Sequence, residues 1–107
     1  MPRDLNVTIL VGELIEPPVE TQGGDNPETE FTIVNRTDEW HSGRMVKGHQ
    51  NLFNCRIYGP LGRQVQKYYK VGDKVLVQGR IRTAVRRQSD TYYEVVVNQV
   101  TSVDNAA

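Results

Sequence analysis

The stretch VGDKVLVQGRIRT, residues 71–83, alternates between apolar or small side chains and polar ones. The first parity consists of Val75, Val77, Gly79, Ile81 and Thr83, and the second of Lys74, Gln78, Arg80 and Arg82, with Leu76 as the exception. Successive side chains of a β-strand point to opposite faces of a sheet. The stretch therefore predicts a strand with one apolar face and one basic face, and it raises the question of a negatively charged partner.

The 107 residues carry no formal net charge, because 13 basic side chains balance 13 acidic ones. The balance is uneven along the chain: residues 1–43 hold two basic and nine acidic residues, a net of −7, and residues 44–107 hold eleven and four, a net of +7. The split favours equally a basic working surface and a surface of ordinary ion pairs.

The length predicts a single domain, residues 1–107, with one modest core. There is no apolar run of eighteen residues, and the first ten residues, MPRDLNVTIL, lack the long apolar core of a signal peptide. Cys55 is the only cysteine, which excludes an internal disulfide and fits a reducing, intracellular setting.

Four further segments have the alternation and β-branched content of strands. These segments are residues 6–15, 30–40, 51–58 and 92–103. The segments between and after them are predicted as a loop rich in Pro, Gly and acidic residues (16–29), a mobile hairpin tip (41–50), a polar hairpin loop (84–91) and a frayed tail (104–107).

The segment PLGRQVQKYYKVGD, residues 60–73, has a helical period instead. Its apolar stripe consists of Leu61, Val65, Tyr68 and Tyr69, after Pro60 in the first turn and before Gly72 at the end. Five strands with one helix between the third and fourth is the order of the OB-fold, a Greek-key barrel whose face binds oligonucleotides or oligosaccharides. The predicted fold class is therefore all-β.

Basic and aromatic side chains are interleaved on the second face of the central strands and on the loops beside it. They are, with one apolar residue among them, Arg36, Trp40, Arg44, Lys47, Leu52, Arg56, Tyr58, Arg80, Arg82, Arg86 and Arg87. Cations follow phosphates, and flat rings stack on unpaired bases whatever their sequence. A lone Trp is most often a core residue, but the parity of Trp40, opposite that of Phe31 and Ile33, favours the ligand face. The pattern predicts a single-stranded nucleic-acid site with little sequence preference.

Catalytic, metal and cofactor sites are not predicted. His41 and His49 flank a loop without matching carboxylate or cysteine spacing, and Cys55 lies on the core parity, as a small buried hydrophobe would. The glycines of QGGDNP, residues 22–27, have acidic and not basic residues near them in the sequence, so a phosphate-binding loop is not predicted.

Four blocks of this sequence resemble, in the same order, the bacterial single-stranded-DNA-binding proteins. The blocks are NVTILVGEL (6–14), FTIVNRTDEW (31–40), FNCRIYGPLGRQVQKYYKVGDKVLVQGRIRT (53–83) and YYEVVVNQV (92–100). The resemblance implies an OB-fold that assembles as a homotetramer and wraps single-stranded DNA in replication, recombination and repair. It also implies a cytoplasmic, nucleoid-associated location.

Carried over by position, the resemblance makes Trp40 the stacking tryptophan, Tyr58 a second aromatic and Arg82 a basic residue of a GRLRT-like strand. The hairpin 41–50 matches the DNA-gripping loop of the family, which gives Arg44 and Lys47 their roles. Leu52 and Arg86 stand where the family often has aromatic residues. The chain ends at SVDNAA without the acidic tip that usually recruits repair proteins, so such recruitment is not implied.

Two alternatives remain open at this level. One is an OB-fold protein–protein adaptor of the replication-restart type, which would use the acidic residues 16–30 and bind DNA weakly. The other is an RNA-binding OB module, which the 2′-OH would distinguish from a DNA binder.

Overall fold

The computed structural model describes residues 4–85 and 90–103. The elements are β1 (Thr8–Leu14), β2 (Val19–Gln22), β3 (Glu28–His41), β4 (Arg44–Tyr58), α1 (Leu61–Tyr68), β5 (Lys74–Val85) and β6 (Thr91–Ser102). The predicted sites Arg86 and Arg87, residues 86–89 of the predicted loop 84–91 and the tail 104–107 lie outside the described residues.

The strands form one sheet in the order β1-β5-β6-β4-β3, and β1 pairs again with β3 to close it. The closing contact consists of Glu13 opposite Val34 and Leu14 opposite Ile33. All pairs are antiparallel except β4–β6, which is parallel. This is the predicted five-stranded barrel, with α1 between its third and fourth strands.

The short strand β2 lies outside the barrel and within the segment predicted as a loop. It pairs with the outer edge of β3 through Val19 opposite Glu30 and Gln22 opposite Glu28. Four residues with a single exposed valine give no periodic signal, because this strand depends on the neighbouring edge and not on burial of its own side chains.

The core fills the barrel, and on β3, β4 and β5 it consists of side chains of the predicted inward parity. Its buried members are Leu14, Phe31, Ile33, Cys55, Ile57, Val65, Val75, Val77, Val95 and Val97. The inward parity of β5 fails at Ile81, which is 37% exposed. Beyond this position β5 and β6 pair only with each other, so the core no longer covers side chains of the inward parity such as Thr83 and Tyr93.

The helix α1 packs against β2, β3, β4 and β6. Val65 is buried, and Leu61 and Tyr69 pack against the core as predicted, but Tyr68 is 68% exposed. The prediction for Tyr68 is wrong because Tyr69, at the i+4 position from Val65, takes the inward place. The Lys67 ammonium lies 5.3 Å from the centre of the Tyr68 ring.

The hairpin between β3 and β4 is longer and its turn tighter than predicted. The strands pair as far as His41 opposite Arg44, and the turn consists of Ser42 and Gly43, with φ of 52° and 77°. Two positive φ values suit a two-residue hairpin turn. Most of the predicted tip 41–50 is thus strand, which periodicity missed because both faces of this part are exposed.

Candidate nucleic-acid interface

The register of β3 and β4 places seven residue pairs on one face of the two strands, called here the outer face. Directly opposite residues of an antiparallel pair share a face. The outer-face pairs are Glu28/Tyr58, Glu30/Arg56, Thr32/Asn54, Val34/Leu52, Arg36/Gln50, Asp38/Lys47 and Trp40/Met45. The alternate pairs, such as Phe31/Cys55 and Ile33/Phe53, face the core. Six predicted site residues therefore share one face.

A bulge in β4 decides which residues reach the far end of the outer face. Between the pairs Arg36/Gln50 and Asp38/Lys47, β4 contains one residue more than β3. The shift places Lys47 opposite Asp38, where uninterrupted pairing would place Gly48. A Cβ on Gly48 would lie 1.9 Å from the Thr37 carbonyl oxygen, so this close approach requires glycine.

Large apolar and aromatic side chains are uncovered along the outer face. Trp40 is 68% exposed, Leu52 64%, Met45 52% and Tyr58 47%. We call these four residues the stacking set. Trp40 is therefore not a core residue, and Met45 is a member that sequence reasoning missed because the bulge reverses the parity of β4.

The part of the β3–β4 hairpin from Arg36 to Gln50 is called here the arm, and its three predicted cations differ in their surroundings. Arg36 Nη1 lies 3.3 Å from Glu13 Oε1, with both side chains about half exposed. Lys47 is exposed and forms no salt bridge within residues 4–85 and 90–103. Arg44 lies opposite His41 and so points away from the outer face. The structure thus places Lys47 on the outer face and Arg44 on the opposite face of the hairpin, and the DNA contact expected of each stays a prediction.

Arg56 departs most from its predicted role as a free cation. Its side chain is 14% exposed and contacts three carboxylates: Nη1 donates to Glu28 Oε1 (2.8 Å), Nε donates to Glu94 Oε2 (3.2 Å), and Nη2 donates to Glu30. Burial lowers the pKa of Arg56, but hydrogen bonds and charges of these carboxylates outweigh burial and raise it above its usual value. Parity could not show that acids from two strands converge on it.

Arg82 connects this cluster to the stacking set. Its Nε donates to Glu94 Oε1 (2.6 Å), its Nη2 donates to the Tyr58 hydroxyl, and its guanidinium carbon lies 5.2 Å from the centre of the Tyr58 ring. The hydrogen bond to Tyr58 is the main cause of the raised pKa of Arg82, and it outweighs the opposing effect of burial. Arg82 is therefore partly engaged within the chain.

Glu94 is the residue that sequence reasoning missed. It is only 4% exposed and accepts hydrogen bonds from both Arg56 and Arg82. It is also the only charged residue in the segment 92–100. A single acid within a buried, β-branched strand is a signal for a paired carboxylate, because an unpaired buried charge is costly.

Arg80 is the freest predicted cation on β5. It lies opposite Val96, is exposed, and has no hydrogen bond or salt bridge to any described residue. Of the two arginines on this face of β5, Arg82 is therefore bonded within the chain, and Arg80 is available to a ligand.

A small apolar cavity of about 280 Å³ adjoins this region. It is lined by Phe53, Ile81, Tyr93, Glu94 and Val95. Tyr93 is 72% exposed and supplies a further accessible ring.

The structure also bears on residues that could hold a metal ion or act as a nucleophile. Residues 4–85 and 90–103 contain no group of three or more His, Cys, Asp or Glu side chains placed to hold a metal ion. Burial, and secondarily the charge of Glu94, raises the pKa of the Cys55 thiol to about 12, which makes it a poor nucleophile. Within the same ranges, no helix is both long and apolar enough to cross a membrane.

The sequence matches a family model, described as the Single-strand binding protein family, over residues 5–103. The chain belongs to the single-strand binding protein family. Membership confirms the predicted resemblance, and the family is a non-enzymatic DNA-binding family.

Solved structures agree with the assignment to the single-strand binding family. A small single-stranded DNA-binding protein from Streptomyces coelicolor is 27% identical with a TM-score of 0.77, and the match covers 97% of this chain and 98% of that one. A Plasmodium falciparum SSB in complex with ssDNA, 18% identical, has a TM-score of 0.82 over 97% and 99% of the chains and shows the common fold. No curated protein sequence matches significantly.

Proposed function

We propose that this chain binds single-stranded DNA with little sequence preference, by stacking bases on the outer face. The observation that carries the proposal is the exposure of Trp40 on the same face as Met45, Leu52 and Tyr58. Exposed rings and apolar side chains in a row offer π-faces and apolar contacts that any base can use, and each base–aromatic stack contributes about 1–3 kcal/mol.

The phosphates are captured by the cations that remain available. Lys47 and Arg80 have no described partner, and Arg36 has only one exposed partner, Glu13. Arg86 and Arg87 stay predicted contributors from the sequence. Arg44 would contact DNA only if the strand passes around the turn, and Arg56 contributes through its carboxylate cluster and not as a direct phosphate contact.

The family assignment and the structural likenesses support this proposal. The S. coelicolor relative is described as a single-stranded DNA-binding protein, and the P. falciparum structure is a complex with ssDNA. We infer that this chain serves replication, recombination and repair, as is general for the family, and that it acts in the cytoplasm at the nucleoid.

We also propose that the chain is a homo-oligomer, a tetramer by resemblance. Leu5, Val7 and Ile9 share one parity at the start of the chain and are 88%, 57% and 59% exposed. The second edge of β1 pairs with β3 only at Glu13 and Leu14. Light scattering would test this, and Ile9→Glu should lower the measured mass because it places a charge in the contact.

The decisive experiment is a titration with oligo-dT followed by tryptophan fluorescence at two salt concentrations. The sequence contains one Trp, so quenching reports Trp40 alone. Binding with quenching at low salt and weaker binding at high salt is expected, and an unchanged signal with no binding by a second method would refute the function. A matched RNA oligonucleotide separates DNA from RNA preference.

A further inference from the structure

Glu94, Arg82 and Tyr58 form a continuous chain of contacts from the interior to the outer face. The carboxylate is 4% exposed, the arginine bonds to it through Nε, and the same guanidinium bonds to the hydroxyl of the half-exposed Tyr58. We propose that Glu94 is a positioning residue that fixes Arg82 and, through it, orients the Tyr58 ring for stacking on a base. This inference rests on the proposed single-stranded DNA function and names a further residue for it.

The first argument is geometric. One carboxylate oxygen of Glu94 accepts a hydrogen bond from Arg56 and the other accepts one from Arg82, so the carboxylate group cannot rotate freely. Arg56 is held in turn by Glu28, and it also contacts the more exposed Glu30, so it keeps the contacts with Glu28 and Glu94 when Glu30 is removed. The carboxylate of Glu94, which binds Arg82, is therefore itself fixed through Arg56 of β4 and Glu28 of β3.

The second argument is the state of Arg82. A long arginine side chain normally loses conformational entropy when it is immobilised on binding. Here the guanidinium already has a carboxylate at one side and a tyrosine hydroxyl at the other, with the ring 5.2 Å away. The ordering cost is met during folding, so Tyr58 meets a base in a prepared orientation.

The third argument is charge. Within this cluster the two arginines face three glutamates, Glu28, Glu30 and Glu94, so the cluster is not a source of net positive charge. If the cluster acted on DNA by charge alone, removing any one of these carboxylates would strengthen binding to the polyanion. A positioning role for Glu94 predicts the opposite sign, which makes the two explanations separable.

The test compares Glu94→Gln with Glu30→Gln in the full chain. Both variants remove one negative charge from the same cluster, but only Glu94 contacts Arg82. Binding of a labelled dT oligonucleotide is measured by anisotropy, with thermal unfolding as the check on folding. Glu94→Gln should weaken binding about three- to tenfold, the range expected from losing preorganisation of one or two side chains, whereas Glu30→Gln should bind as tightly as wild type or more tightly.

Two further readouts separate positioning from general support of the fold. In a Tyr58→Leu background, Glu94→Gln should cause no additional loss of affinity, because the ring that it orients is gone. In the DNA-free protein, the Arg82 Nε–H resonance should be visible in wild type and lost in Glu94→Gln. Independent, additive effects of the two substitutions would overturn the proposal.

Should Glu94→Gln fail to fold, Arg82→Lys keeps the charge and removes the bridging geometry. It should weaken binding over the same range, while Arg63→Lys, on the helix and away from the outer face, serves as the matched control. Equal affinity of Arg82→Lys and wild type would overturn the proposal.

A wild-type chain that does not bind oligo-dT would overturn the proposed function. A wild-type chain that binds, together with Glu94→Gln that matches Glu30→Gln, would overturn only the positioning role.

Discussion

Trp40 of β3 lies directly opposite Met45 of β4, and more than half of each side chain is exposed. The pair sits two positions before the turn, where β3 and β4 have left the barrel. A large ring beside a flexible thioether presents an apolar contact of adaptable shape. Such a pair contributes little to the core, and under the proposed function it is a contact for a base.

Trp40→Ala should weaken oligonucleotide binding by about 1–3 kcal/mol, the value of one lost base stack. The loss should be similar for dT, dC and mixed sequences, because stacking uses the face of the base and not its edge. Anisotropy of a labelled oligonucleotide gives the affinity. Trp40→Phe should recover part of the loss, and Val19→Ala, an exposed apolar residue on β2, is the control. Wild-type affinity in Trp40→Ala would remove this residue from the site.

Lys47→Gln and Arg56→Gln should differ in their effect on salt dependence. Each phosphate contact of a single strand contributes about −0.7 to the slope of log K against log salt. Lys47→Gln should make the slope less negative by about that amount, whereas Arg56→Gln should leave it unchanged, since Arg56 is held by three carboxylates. Affinities at four or more salt concentrations provide the slopes, and a slope altered by Arg56→Gln alone would reverse this assignment.

Gly62→Ala should destabilise the fold although alanine is the better helix former. A Cβ on Gly62 would lie 2.2 Å from Thr29 Oγ1 and 2.6 Å from Thr29 Cβ, and Thr29 is fully buried. Overpacking of this kind costs about 1–3 kcal/mol, against a gain of about 1 kcal/mol in helix propensity. Urea denaturation should show a lower midpoint. Gln64→Ala, at an exposed position of the same helix, should change stability by less than about 0.5 kcal/mol.

The Cys55 thiol should react very slowly with a disulfide reagent in the folded protein. Its pKa rises from 9.0 to about 12, chiefly through burial, so the thiolate population at neutral pH falls about a thousandfold. Reaction with the thiol reagent DTNB, with and without denaturing urea, measures the difference. A rapid reaction in native buffer would show that the thiol is accessible.

The same thiol should also reduce stability in alkali. The folded state keeps the thiol proton up to about pH 12, whereas the unfolded state loses it near the ordinary thiol pKa of 9.0. The unfolded state therefore binds fewer protons in this window, and the contribution of Cys55 to stability is full below it and lost as pH rises through it. Cys55→Ala should show a smaller decrease in unfolding free energy over that pH range.

The periodic parts of the sequence predicted the barrel well. Alternation in Val75–Val77 and Phe31–Ile33 gave the inward faces, and the helical spacing of Leu61 and Val65 gave the helix, since burial imposes those patterns directly. Where pairing continues without burial, as in β2, the pattern disappears and the strand was missed.

The site was predicted in outline and not in its electrostatics. The alternation of side chains correctly predicted that Trp40 is exposed. The position of Lys47 on the outer face depends on a bulge, and the periodicity of the sequence does not reveal that register shift. The engagement of Arg56 by Glu94 joins residues 38 positions apart, and only the tertiary fold brings them together.

From Arg36 to Gln50 the β3–β4 hairpin has no fully buried residue on either face. Backbone hydrogen bonds and two exposed side-chain contacts, Arg36–Glu13 and His41–Glu39, hold this arm in shape without core packing, so its amide protons should exchange with solvent far faster than those of the barrel. An occupying strand of nucleotides would supply the missing cover, and deuterium uptake in the arm should then slow. The arm should therefore become more rigid when an oligonucleotide binds, and the exchange rate of its amide protons would measure that binding without any label.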